Sequence, residues 1–99
     1  ATMKKDFSIL VVDDDKDFLK GIIRSLEKRF STINILGASS GDQALGFFKT
    51  HEIGVMLSDL RMPGISGHEL MQKGLAINPD LRVIMITGYG TIENAVDAL

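Results

Sequence analysis

The stretch FSILVVDDD, Phe7 to Asp15, decides how this chain is read. Its first six residues are almost all apolar. A run that short, with no polar face, suits a strand covered on both sides, as in a parallel sheet. Three carboxylates follow without a break. Neighbouring like charges repel, and a plain turn has milder polar choices. The triplet therefore reads as a solvated turn, a helix cap, or one wall of a site that takes a cation.

Downstream of the triplet the period changes. Phe18, Leu19, Ile22, Ile23 and Leu26 recur at helical spacing with Lys and Arg between them, which predicts a helix from Asp15 to about Phe30. Ile33 to Ala38 (INILGA) reads as a second strand. Gly41 to Thr50 reads as a helix with Ala44, Leu45 and Phe48 inward, and Ile53 to Leu57 (IGVML) as a third strand. MPGISG, Met62 to Gly67, is a loop broken by proline and glycine. Ser66 and Glu69 have the spacing of a capping box for a helix running to about Ile77. Asn78-Pro79-Asp80 ends it. Leu81 to Ile86 (LRVIMI) is a fourth strand, Gly88-Tyr89-Gly90 turns the chain, and Ile92, Ala95, Val96 and Leu99 line a last helix capped by Thr91.

Strict alternation of strand and helix predicts an α/β fold with a parallel sheet and right-handed crossovers. The 99 residues make one domain, 1–99, with Ala1-Thr2 ahead of Met3 read as a cloning remnant. There is no cysteine, so neither disulfides nor thiolate metal sites arise. No apolar run is long enough to span a bilayer and no signal-peptide pattern opens the chain, so a cytoplasmic location is expected. Net charge is −2, and Lys4-Lys5 and Lys28-Arg29 are isolated pairs, so direct nucleic-acid binding is not expected. His51 and His68 lack metal-ligand spacing and read as surface residues. The five methionines read as core filling and chain start.

Ligands of open parallel sheets bind beyond the C-terminal strand ends, near a switch in strand order. Asp13, Asp14 and Asp15 follow strand one, Ser58 and Asp59 strand three, and Thr87 and Gly88 strand four. Strand two offers only small residues, Ala38 to Gly41. Taken singly, an Asp pair after a strand is a turn or cap, and Thr beside Gly is an ordinary strand end. Their joint placement on one rim carries the functional reading. Two unit charges about 4 Å apart at a partly buried site repel by roughly 4 kcal/mol, so such a rim needs a counter-charge or protons. Oxygen ligands without Cys or His suit Mg²⁺, and a carboxylate beside that ion can act as a nucleophile toward phosphorus.

At this point the residues resemble a bacterial response-regulator receiver domain. ILVVDDD resembles the family's first strand and acidic pair. LSDLRMPGISG resembles its phosphoacceptor segment, and VIMITGYG its fourth strand with the switch hydroxyl. The resemblance covers about Phe7 to Leu99. It implies a flavodoxin-like doubly wound sheet of strand order 2-1-3-4, with Asp59 as phosphoacceptor and Thr87 as switch hydroxyl. Asp13, Asp14, Asp59 and the backbone carbonyl of Arg61 would be the Mg²⁺ ligands, Asp13 largely through a water, which leaves Asp15 to read as the N-terminal cap of the first helix. It further implies a regulatory role rather than an enzyme's, and a sensor histidine kinase as donor. The surface around the fourth helix would be the two-state readout. TGYGTIENAVDAL looks most like receivers of NtrC-type activators, which carry a sigma-54-interacting ATPase and a DNA-binding output domain beyond the position of Leu99.

The family's fifth strand, its lysine and its fifth helix have no counterpart in these residues. The chain is therefore expected to be a fragment. Taken as the whole molecule, it is expected to dimerise through strand four or the uncovered sheet face, and to be phosphorylated weakly. The competing reading from another class is a haloacid-dehalogenase-like phosphohydrolase, with Asp13 as nucleophile and Asp15 as acid/base. That reading leaves Asp59 without a role.

Overall fold

The structure is a computed structural model that describes residues 7–86. The elements run β1 (Ser8–Val12), α1 (Lys16–Arg29), β2 (Asn34–Ala38), α2 (Gly41–Phe47), β3 (Ile53–Asp59), α3 (Gly67–Ile77) and β4 (Arg82–Ile86). The four strands form one parallel sheet in the order β2-β1-β3-β4, as the resemblance implies. The chain adds β2 on one side of β1 and then crosses to add β3 on the other. β1 is thus where the winding reverses, and ligands of such sheets bind beyond the C-terminal strand ends at that point.

Every residue of β1 is buried, which explains its apolar run. Alternate residues serve alternate faces. Ile9 and Val11 pack with Leu57, Ile86 and the Leu19, Ile22 and Leu26 stripe of α1. Leu10 and Val12 pack with Met56, Ala44 of α2, Leu70 of α3 and Phe48. Burying one such side chain contributes about 1.5–3 kcal/mol. The sheet is therefore held from both sides most firmly at the strand that delivers the acidic triplet.

α1 begins where Asp15 stops it from fraying. The Asp15 carboxylate accepts from the N–H groups of Asp17 and Phe18, both at 3.1 Å. Asp17 in the first turn and Lys28 and Arg29 in the last suit the helix dipole. Ser66 caps α3 by accepting from the Glu69 N–H at 3.1 Å, one arm of the expected capping box. The Glu69 carboxylate lies 4.0 Å from Lys73 Nζ, one turn on.

Two element bounds differ from expectation by two residues or more. α2 ends at Phe47 rather than Thr50, because residues 48–50 tighten into bonds from each N–H to the carbonyl three residues back. Gly46, exposed and a weak helix former, lets the last turn tighten, and Phe48 is buried against the core. β3 runs two residues past Leu57, through Asp59. The ladder continues because Leu60 N–H donates to the Ile86 carbonyl at 3.1 Å. The predicted turn at 88–90 and helix from Thr91 to Leu99 lie outside the described residues.

Candidate metal centre

Asp13 is the first residue past β1. Its N–H still donates to the Ala38 carbonyl of β2 (3.1 Å), so its backbone is held in line with the sheet. Only 5% of Asp13 is exposed. Its Oδ1 accepts from the Asp15 N–H at 2.9 Å. Asp14, next along, is exposed. Asp59 is the last residue of β3 and half-buried. Parallel pairing of β1 with β3, with Val12 opposite Ser58, brings the two strand ends side by side. One carboxylate oxygen from each of Asp13, Asp14 and Asp59 then lies within 4.8 Å of the others.

This arrangement is electrostatically unfavourable as it stands. Burial pushes the Asp13 carboxyl above the ordinary carboxylate value. The Asp15 N–H works against that rise, and the charges of Asp59, Asp14 and Asp15 add to it. The cluster therefore favours whatever brings positive charge: a proton or a cation. The donors are all carboxylate oxygens, and the chain has no thiol. That set fits a hard divalent ion such as Mg²⁺, which accepts one or two carboxylates and keeps several waters.

The structure brings Asp13, Asp14 and Asp59 together as the sequence suggested. It removes one other residue from the rim. Ser58, expected beyond strand three, lies inside β3 and is fully buried, with its hydroxyl donating to the Asp59 carbonyl at 3.0 Å. The two-residue extension of β3 is the physical reason. Asp15 caps α1 as its place ahead of the helix suggests, so its carboxylate is committed there. The phosphohydrolase alternative needs that group as acid/base, so it loses a partner for Asp13.

Arg61 stands in the exposed loop, and its N–H faces Asp59 Oδ1 at 3.4 Å. The family resemblance implies a role for its carbonyl alone. His68 is exposed, but His51 is half-buried, its ring 5.8 Å from that of Phe47 and its Nδ1 2.9 Å from the Thr50 hydroxyl. The Thr87 assignment lies outside the described residues. Gly64, in the loop after β3, has φ of 77°, a left-handed conformation that favours glycine. No described helix is long and apolar enough to cross a membrane.

A doubly wound parallel sheet with a carboxylate cluster at its switch point defines a class of domain that handles phosphate or metal at the strand ends. The profile of the response regulator receiver domain matches residues 9–99, and the chain belongs to that family. Receiver domains are regulatory. The chain is 38% identical over 92 residues to the C4-dicarboxylate transport transcriptional regulatory protein DctD of Rhizobium meliloti. The match covers 93% of this chain and 20% of that protein. A two-component transcriptional regulator AraC from Clostridium phytofermentans superposes with a TM-score of 0.83 at 30% identity, over 94% of this chain and 88% of that one. A response regulator from Burkholderia pseudomallei has a TM-score of 0.75 at 31% identity, over 94% and 54% of the two chains. Its crystal structure carries a phosphorylated aspartic acid, a calcium ion and citrate. The chain spans 20% to 53% of the length of curated regulators that it matches.

Proposed function

We propose that this chain is the phosphoacceptor of a two-component signalling protein, with Asp59 as the residue modified. The observation that carries this reading is the convergence of Asp13, Asp14 and Asp59 at the end of the central strands. A donor imidazole bearing a phosphoryl group, on a sensor histidine kinase, presents its phosphorus at this rim. An Asp59 carboxylate oxygen forms the new P–O bond, the P–N bond breaks, and the imidazole leaves with its electron pair. The Arg61 N–H donates to Asp59 Oδ1 at 3.4 Å and so helps to orient the carboxylate.

Asp13, Asp14, Asp59 and the Arg61 carbonyl are the groups that would hold Mg²⁺. When bound, the ion supplies positive charge to offset the carboxylates and the incoming phosphoryl oxygens. The likeness to a Burkholderia regulator whose crystal structure carries a phosphorylated aspartic acid and a calcium ion supports this assignment. Thr87 is the hydroxyl that reports the modification, since it directly follows Ile86, which pairs with Asp59 in β4. The surface around the fourth helix passes the signal to an output domain that controls transcription, the role named for DctD. The step takes place in the cytoplasm, and this domain does not itself bind nucleic acid.

Incubation with a small-molecule phosphodonor and Mg²⁺ followed by mass spectrometry tests the reading. Phosphate on Asp59, absent from Asp59→Asn, is expected. Phosphate on Asp13 instead, or no labelling of either residue, overturns it.

A further inference from the structure

We infer that Gly67 is a positioning residue for Asp59: the missing side chain at the start of α3 sets where the acceptor carboxylate stands. The inference rests on the reading of Asp13, Asp14 and Asp59 as one cation and phosphoryl site. Gly67 is the first residue of α3 and is buried. Its N–H donates to the Leu60 carbonyl at 3.0 Å. A Cβ at this position would collide with the Asp59 carbonyl oxygen, and would stand 3.0 Å from the Asp59 carbonyl carbon and from Leu60 Cα. These neighbours are backbone atoms, so no rotamer change relieves the contact.

The collision has only one easy outlet. α3 is anchored in the core through Leu70, which is fully buried, and through Gly74. Upstream, β3 is flanked by β1 and β4 and cannot slide. The strand end, Asp59-Leu60, is the part that gives way. The same carbonyl accepts from the Ser58 hydroxyl, and Leu60 N–H is bonded to Ile86, so a shift there is passed to the Asp59 side chain and to the β4 end. Asp59 is shared with the Asp13 and Asp14 oxygens across at most 4.8 Å. Small displacements of a ligand group weaken cation binding by about tenfold to a hundredfold when its support is lost.

The same helix provides a matched control. Gly74, two turns on, is also buried, and a Cβ there would meet Leu81 Cδ2 at 3.0 Å and Phe48 Cζ at 3.1 Å. Those are side-chain atoms of the core, remote from the carboxylates. Gly67→Ala and Gly74→Ala thus both crowd α3, but only one does so against Asp59.

The experiment is a Mg²⁺ titration of the unaltered chain and both variants, followed by backbone amide chemical shifts, with melting temperature measured alongside. In the unaltered chain the Gly67 amide is expected to shift with the same midpoint as the Asp59 amide, while the Gly74 amide stays still. Gly67→Ala is expected to weaken Mg²⁺ binding by about tenfold or more. Gly74→Ala is expected to keep the affinity even where it melts lower. Equal affinity in Gly67→Ala and the unaltered chain overturns the inference, as do equal losses in both variants. If Gly67→Ala does not fold, a Gly67 amide unmoved by Mg²⁺ in the unaltered chain overturns it, and a shared midpoint supports it. An unaltered chain that binds no Mg²⁺ overturns the site reading itself, together with the inference.

Discussion

The two ends of the sheet are built on opposite terms. At the N-terminal ends of the strands, polar groups find neutral partners. Ser8 N–H donates to the Glu52 carbonyl at 2.8 Å, Asn34 Nδ2 to the Ser8 hydroxyl at 3.3 Å, and Asn78 Nδ2 to the Ile53 carbonyl at 3.0 Å. At the C-terminal ends three carboxylates crowd together, and the buried one is pushed upward in pKa. The first end is satisfied by the chain alone. The second is satisfied only when something positive arrives. Buried polar groups that are paired stabilise a fold, whereas unpaired charges cost it, so the two ends separate stability from function.

Four changes break or sharpen this contrast. The largest effect is expected from Asp59→Asn, which should reduce phosphodonor labelling to background while the chain remains folded by circular dichroism. Next comes the opposite end. Asn78→Ala leaves the Ile53 carbonyl without its donor and should cost about 1–3 kcal/mol. In a domain of this size each kcal/mol corresponds to a fall of about 4–8 °C in melting temperature. Mg²⁺ affinity should be unchanged. A variant at this end that altered cation binding without altering the melt would erase the division.

Asp13→Asn should do the reverse, stabilising the ion-free chain by on the order of 1 kcal/mol and weakening Mg²⁺ binding. The pH dependence follows from the raised carboxyl. Between its ordinary value near 3.8 and its raised folded value, the folded chain keeps a proton that the unfolded chain has released. Stability is therefore greatest below that window and falls as pH rises through it. Denaturation of the ion-free chain across this range should show the decline, and Asp13→Asn should flatten it. Added Mg²⁺ should restore stability at neutral pH in the unaltered chain. A melt that ignores both pH and Mg²⁺ would mean that the carboxylates do not oppose folding. The smallest effect is expected from Asp15→Asn. Asparagine caps as well as aspartate, so stability should stay within about 0.5 kcal/mol. Mg²⁺ binding should be nearly unaltered, and a large loss would return Asp15 to the site.

Much of this was legible in the residues. FSILVV predicted a doubly covered strand because an apolar run leaves no solvent face, and β1 is buried throughout. Alternation of periods predicted parallel β/α winding, and Ser66 and Asp15 read as caps because short acceptors before an apolar-periodic stretch leave few other roles. The bound of β3 was not legible. Ser58 and Asp59 look like loop residues by type, and only pairing with β1 and β4 extends the strand through them. The Arg61 N–H facing Asp59 carried no signal, because backbone groups are the same in every residue.

By itself, then, the amino-acid order determined the elements, the sheet class and the acidic residues that follow the strands. These depend on local period and on the chemistry of single side chains. Tertiary structure decided which carboxylates meet. Parallel pairing set Asp59 beside Asp13 and Asp14, and β3 buried Ser58. It also decided the meaning of Gly67, which reads as a loop breaker in sequence and proves to be a close approach between α3 and the backbone of Asp59. Such contacts join residues distant along the chain or depend on the space between elements, and neither period nor composition records that distance.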